Sequence, residues 1–434
     1  MARRLFGTDG VRGVAGEKLT AELALALGRA ATEQAGGAGS RVLIIRDTRE
    51  SGPMLEAALA AGTAAAGGEA LLGGILPTPA APMLIARYGF DLGVVVSASH
   101  NPYRDNGIKF FGANALKLSD ETEEEIEARL ETPAPSPGSP GPVRELHGTR
   151  EDYLRALQER FAGLDLSGTR VMLDCANGAA YRAAPEIFQR LGAEVTAVGI
   201  EPDGRNINDG VGSTHVEALA GAVAGDGFDV GFAFDGDADR VLAVDRHGVV
   251  VDGDELIALA ALHLRREGRL GGGVAVTVMT NYGFHTAMRE AGVEVAVTDV
   301  GDRYVLEELL RRGWSLGGEQ SGHIIDTGFV ASGDGIASAL LTLEALGGED
   351  LADRSAMTKL PQRLVNVSVA DKAAALAAVE QAAADEGRAL EERGRVLVRA
   401  SGTEELVRVM VEAPDEGECQ AVCERLVGVV ESAS

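Results

Sequence analysis

The chain has 434 residues, of which 45% are hydrophobic and 24% charged, and its formal net charge is −26. That length holds several domains of roughly 100–200 residues each, and the composition is that of a folded protein rather than a disordered or fibrous one. The acidic balance implies a solvated surface and excludes nucleic acid, which needs a basic footprint; an anionic small ligand requires Arg and Lys gathered at one place.

The opening "MARRLFGTDG" has two arginines but no apolar run behind them, so it does not read as a signal peptide. No stretch approaches the roughly 18 apolar residues of a membrane span. Cys175, Cys419 and Cys423 give no disulfide framework and read as free thiols in a reducing cytosol. A soluble, cytoplasmic protein without a membrane partner is expected.

In chain order, "RVLIIRD" (41–47) reads as a strand and precedes a helix from Met54. "DLGVVV" (91–96) is a buried strand that runs into the polar "SASHNP" (97–102). "ETPAPSPGSPGP" (131–142) is an exposed Pro- and Ser-rich connection. "TRVMLDC" (169–175) is a strand before the helix "YRAAPEIFQRLG", and "RHGVVVDG" (246–253) looks like a join. "VAVTVMT" (274–280) leads into the helix "FHTAMREAG". Beyond "TKLPQR" (358–363) the design changes, with alternating "VNVSV", an alanine-rich helix, strands "RVLVRA" and "LVRVMVEA", and a final helix.

Alternating strands and helices predict α/β layers. A loose internal repeat strengthens this, since three times a strand enters a short polar loop and then another apolar stretch: 91–111, 229–245 and 313–325. The expected fold is three similar α/β domains with mixed sheets, 1–148, 149–248 and 249–358, plus a smaller C-terminal α+β domain, 359–434.

The loops carry the chemistry. In "DGDADR", Asp235, Asp237 and Asp239 recur at every second residue, and an extended segment would turn all three to one side. Three carboxylates so placed repel one another without a cation, and hard oxygen ligands suit Mg²⁺. A calcium EF-hand is excluded because its sixth position is Arg240, not Gly, and its twelfth is Arg246, not Glu.

"SASHNP" by itself fits a turn or helix cap. A Ser99–His100 hydrolase pair is disfavoured, because neighbours in extended chain point apart and no G-x-S-x-G elbow is present. Lys109, flanked by apolar residues, has the character of an acid/base with a tuned pKa. Serine, lysine and a magnesium site together point to phosphoryl chemistry on Ser99.

"GEQSGH" offers Glu319, Ser321 and His323 for sugar hydroxyls. "RASGTEELVR" offers Ser401, Gly402 and Thr403 between Arg399 and Arg408 as a phosphate cradle. No P-loop or dinucleotide motif stands in a suitable context, so the phosphate belongs to a small sugar.

Taken jointly, "FGTDGVRG" (6–13), "SASHNPYRDNGIKFF" (97–111), "DGDADR" (235–240), "GDRYV" (301–305), "GEQSGH" (318–323) and "SGTE" (401–404) resemble the phosphohexomutase superfamily across nearly the whole chain. The resemblance implies four domains around a central cleft and a phosphoryl group on Ser99 in the resting enzyme. It implies one Mg²⁺ per subunit, held by Asp235, Asp237, Asp239 and a phosphoserine oxygen.

Arg12 and Lys109 resemble residues beside the reacting oxygens, with Arg240 after the metal loop and His100 and His323 as further candidates for moving the proton. Gly301, Asp302, Glu319 and Ser321 resemble substrate ligands, and 399–408 the clamp for the phosphate not being transferred. The implied reaction interconverts glucosamine 6-phosphate and glucosamine 1-phosphate through glucosamine 1,6-bisphosphate, an intermediate and activator, and so feeds UDP-N-acetylglucosamine synthesis. Members acting on glucose or mannose phosphates are the nearest rival, and a non-catalytic sugar-phosphate sensor is the rival of another class; the expected partner is a small sugar phosphate, with a homodimer left open. Ala400, Glu405 and "TNYGF" depart from the usual pattern, the first two within the phosphate clamp.

Overall fold

The computed structural model describes residues 5–7, 9–132, 138–401 and 405–433. The chain forms two compact units, one from Met1–Val278 and Ala296–Arg354, the other from Met279–Val295 and Ser355–Ser434.

The first unit contains three mixed sheets. The first has six strands, in the order Val11–Val14, Asp105–Gly112, Leu92–Val96, Arg41–Arg46, Glu69–Ile75, Val143–Glu145. Its central strands Arg41–Arg46 and Leu92–Val96 pair in parallel and are continuous apolar runs, as expected of strands covered on both faces. Two helices over this sheet, Ala21–Gln34 and Gly52–Ala65, pack tightly. A Cβ at Gly62 would lie 2.0 Å from the carbonyl oxygen of Leu25, so only glycine permits that approach.

The internal repeat takes physical form as three antiparallel pairs, one per sheet. Leu92–Val96 pairs with Asp105–Gly112, Val230–Phe234 with Val241–Asp245, and Leu316–Gly318 with Ile324–Asp326. Each polar loop singled out in the sequence joins the two strands of one pair. Buried strands fix the roots of each loop, and the loop residues are spared for chemistry.

The second unit has a three-stranded antiparallel sheet, Gln362–Ser368, Leu406–Glu412 and Arg395–Ala400, with helices Lys372–Leu390 and Glu416–Ser432. Its core of valines includes Cys419 and Cys423, both buried and unbridged, as is Cys175 in the first unit. The helix Tyr282–Glu290 belongs to this unit although sequence grouped it with 249–358. Asn281 accepts from Leu360 N and donates to Leu360 O, each at 3.0 Å, and Glu412 accepts from Tyr282 N at 2.9 Å. Among the described residues no helix is long and apolar enough to cross a membrane.

Candidate active site

Asp235, Asp237 and Asp239 follow the buried strand Val230–Phe234, and an oxygen from each lies within 4.8 Å of the others. They converge by a different route from the extended segment expected. The loop is a turn, and Ala238 adopts a left-handed φ of 58° that folds the chain back on itself.

All three carboxylates are buried. Asp237 Oδ2 accepts from Thr78 Oγ1 at 2.7 Å and from Lys109 Nζ at 2.9 Å. Among the described residues, Asp237 Oδ1 and Asp239 Oδ1 are buried without a hydrogen-bond partner. Buried oxygens are rarely left so, and hard anionic oxygens aimed at one point suit a small divalent cation. Burial first, then Asp239 and Asp237, push the Asp235 carboxyl well above the usual range. Burial opposes ionisation of Asp239 too, but Lys109 and His323 outweigh it and hold that group well below the range. The residues present fit Mg²⁺.

Ser99 lies across from this loop. It is 2% exposed and has a left-handed φ of 53°. Ser97 Oγ accepts from Ser99 N at 2.9 Å, and Ser99 Oγ donates to Asp235 Oδ2 at 2.5 Å. The left-handed turn also overturns the argument that separated Ser99 from His100, since Nδ1 of His100 lies 3.3 Å from the Ser99 hydroxyl. Burial, then Arg240 and Arg12, lower the pKa of His100.

Lys109 sits opposite Val95 in the register of the first sheet and is nearly inaccessible. Its Nζ lies 2.9 Å from Asp237, 3.1 Å from Asp9 and 3.4 Å from Asp239. Burial works against its charge, but these carboxylates prevail and raise its pKa well above the ordinary value. It is therefore an ammonium, and the tuning expected of its pKa runs upward.

Asp9 and Lys117 were not singled out in the sequence, yet they extend this cluster. Lys117 Nζ lies 2.5 Å from both Asp9 and Asp302, while His323 lies 3.6 Å from both Asp239 and Asp302. Lys109, Asp9, Lys117, Asp302, His323 and Asp239 thus close into a ring in which each basic side chain stands between two carboxylates. Asp9 stood inside a quoted motif and could have been found there; Lys117 belonged to none.

A cleft of about 430 Å³ opens over this ring, lined by Arg12, Ser99, Asp239, Arg240, Gly301, Glu319 and His323 among others. Arg12 pairs with Asp9, Arg240 N donates to Asp235 Oδ1 at 3.1 Å, and Gly301 N donates to Glu319 at 3.1 Å. Ser321 is exposed and does not line the cleft. A larger cavity of about 620 Å³ touches Lys117 and Asp302 but neither Ser99 nor the three aspartates, so the chemistry goes with the smaller one.

In the second unit, Arg399 and Arg408 stand directly opposite each other on adjacent antiparallel strands. Ser401, between them in sequence, is buried, its N–H on Leu406 O at 2.9 Å. Gly402 and Thr403 lie outside the described residues.

Four domain models of one family match the chain in order. Phosphoglucomutase/phosphomannomutase alpha/beta/alpha domains I, II and III match residues 3–136, 151–248 and 252–364, and the C-terminal domain matches 364–429. The chain belongs to the phosphoglucomutase/phosphomannomutase family.

Among its relatives, a phosphoglucosamine mutase from Moorella thermoacetica is 52% identical over 96% of this chain and 97% of its own. One from Mycobacterium tuberculosis is 50% identical over 99% of each. A family member from Burkholderia thailandensis superposes with a TM-score of 0.84 at 24% identity, covering 99% of this chain and 97% of its own. Aspergillus fumigatus N-acetylphosphoglucosamine mutase, solved with GlcNAc-6P and magnesium, gives 0.66 at 19%, covering 99% and 96%. These two structures bear on the fold alone.

Proposed function

We propose that the protein is a phosphoglucosamine mutase that interconverts glucosamine 6-phosphate and glucosamine 1-phosphate with Ser99 as phosphoryl carrier. The observation that carries this reading is the 2.5 Å contact between the Ser99 hydroxyl and Asp235, in a buried carboxylate cluster where, among the described residues, two oxygens have no hydrogen-bond partner. The near-full-length relatives named for that activity support the choice of substrate.

Phosphoserine 99 gives its phosphoryl group to O1 of glucosamine 6-phosphate. The Oγ–P bond breaks, an O1–P bond forms, and the O1 proton passes to His100 or His323, while the Lys109 ammonium supplies positive charge beside the reacting oxygens. The resulting 1,6-bisphosphate turns end for end and returns its 6-phosphoryl to Ser99. Asp235, Asp237 and Asp239, with a phosphoserine oxygen, would hold one Mg²⁺, which neutralises charge on a transferring phosphoryl group. Arg12 and Arg240 face the same cleft and supply further positive charge there. Glu319, Gly301 and Asp302 form its sugar side, where a carboxylate suits the ammonium at C2.

The placement of Arg399 directly opposite Arg408 on adjacent strands gathers two guanidinium groups at one place and so supports a clamp for the phosphate not being transferred. We propose the limits 1–148, 149–248, 249–358 and 359–434 as divisions of the sequence, although residues 279–295 of the third group in space with the fourth. In the cell we place the enzyme in the cytoplasm, as a soluble protein.

The test is intact-protein mass with peptide mapping, together with kcat/KM on glucosamine, glucose and mannose 6-phosphates. One added phosphate on Ser99, a preference for glucosamine and loss of turnover in Ser99→Ala are expected. Preference for glucose or mannose phosphate would move the reading to another branch of the family. Binding without turnover by both forms would make the protein a sensor.

A further inference from the structure

We propose that Arg49 and Asn208 are positioning residues that grip the main chain of Ser99 and so aim its hydroxyl at Asp235. The inference rests on the reading of Ser99 as phosphoryl carrier.

Arg49 has no exposed surface, and all of its guanidinium nitrogens are engaged. Nε donates to Asp47 Oδ2 at 2.8 Å. Nη1 donates to the carbonyls of Pro102 and Asp105 at 2.5 and 3.0 Å, and Nη2 to those of Ser99 and Asn101, both at 2.8 Å. Five N–H groups therefore meet five acceptors, four of them carbonyls in or bounding one short loop.

The carbonyl of Ser99 is held twice. Asn208, from the second sheet's side of the site, donates to it at 2.9 Å and to Asn101 O at 3.2 Å. Gly236 makes room for this bond, since a Cβ there would lie 2.6 Å from Ser99 O and 2.8 Å from Asn208 Nδ2.

The other end of residue 99 is tied to the same arginine. Ser99 N donates to Ser97 Oγ, Ser97 Oγ donates to Asp47 Oδ2 at 2.7 Å, and that oxygen also receives Arg49 Nε. With both flanking peptide planes fixed, the Cβ of a left-handed residue has one direction open to it. A left-handed conformation is disfavoured for serine and persists only where its surroundings over-determine it. Here they do, and the direction imposed is the one that meets Asp235. A loop that needed only cover could be packed with apolar side chains, without the cost of burying a guanidinium.

The experiment compares phosphorylated full-length wild type with Asn208→Ala, Arg49→Lys and Ser99→Ala on glucosamine 6-phosphate. Readouts are kcat, KM, melting temperature and the ³¹P resonance of phosphoserine 99. We expect kcat to fall about 10-fold in Asn208→Ala and about 100-fold in Arg49→Lys, as small misplacements of a reacting group do. KM should stay within about twofold, and the ³¹P resonance should move in both variants. Unchanged kcat in both, beside an inert Ser99→Ala, overturns the positioning role and leaves the carrier reading intact. Lost activity with a collapsed melting temperature and an unmoved ³¹P resonance also overturns it, as the signature of a merely structural part. If Arg49→Lys fails to fold, Asn208→Ala decides by the same criteria. An active Ser99→Ala overturns the carrier reading and this inference with it.

Discussion

Lys109 brings one positive charge to three carboxylates, those of Asp9, Asp237 and Asp239. Lys109→Met keeps the aliphatic stem and leaves those anions buried without their common partner. Breaking such a buried pair from one side costs about 3–5 kcal/mol. The variant is therefore expected to unfold at markedly lower urea in metal-free buffer, with turnover lost as well. At this scale residue types were legible and conformations were not. Three aspartates, a serine and a lysine announce themselves by type and spacing. The left-handed turns at Ala238 and Ser99 do not, because alanine and serine carry no preference for that region and tertiary bonds impose it.

Secondary-structure elements were read best where the pattern was long. Runs such as "RVLIIR" and "VGFAF" are covered on both faces and need no alternation to be seen. The edge strands Val143–Glu145 and Val250–Val251 are too short to show any period, and pairing with a neighbour makes them. Also invisible was the contact of the helices Ala21–Gln34 and Gly52–Ala65, where glycine allows backbone to touch backbone. Gly62→Ala should cost about 1–3 kcal/mol as an overpacking change, measurable as a lowered urea midpoint without a change in slope. The helix Tyr282–Glu290 yields a prediction in pH. Burial, then Arg395 and Arg289, lower His285 to about 4, below the 6.5 of the free side chain. The unfolded chain therefore takes up its proton first as pH falls. The stability His285 contributes is full above about 6.5 and is lost progressively toward about 4. Protection factors across residues 282–290, corrected for the intrinsic exchange rate at each pH, should fall between pH 7 and pH 5, and less so in His285→Asn.

Across the whole molecule, the cation site and His285 fall in different units. Mg²⁺ is thus expected to raise the unfolding temperature of the first unit and leave the second unmoved. The gain should be about 2.7 kcal/mol at a hundredfold excess over Kd, and Asp237→Asn should abolish it. Differential scanning calorimetry with and without chelator reads both transitions. The order of the layers was legible from the repeated strand–loop–strand units. The membership of 279–295 was not, because the bonds that claim it run from Asn281 to Leu360 and from Glu412 to Tyr282, far apart in sequence. A genetic deletion or protease cut after Arg354 therefore leaves a damaged remainder. The shortened polypeptide would keep the helix Tyr282–Glu290 while discarding Leu360, Arg395 and Glu412, which anchor its first turn and the residues just before it. Such a fragment is expected to be sticky and protease-sensitive near residue 285, so trimming this protein from its C-terminal side cannot isolate the phosphoryl-transfer centre in sound form.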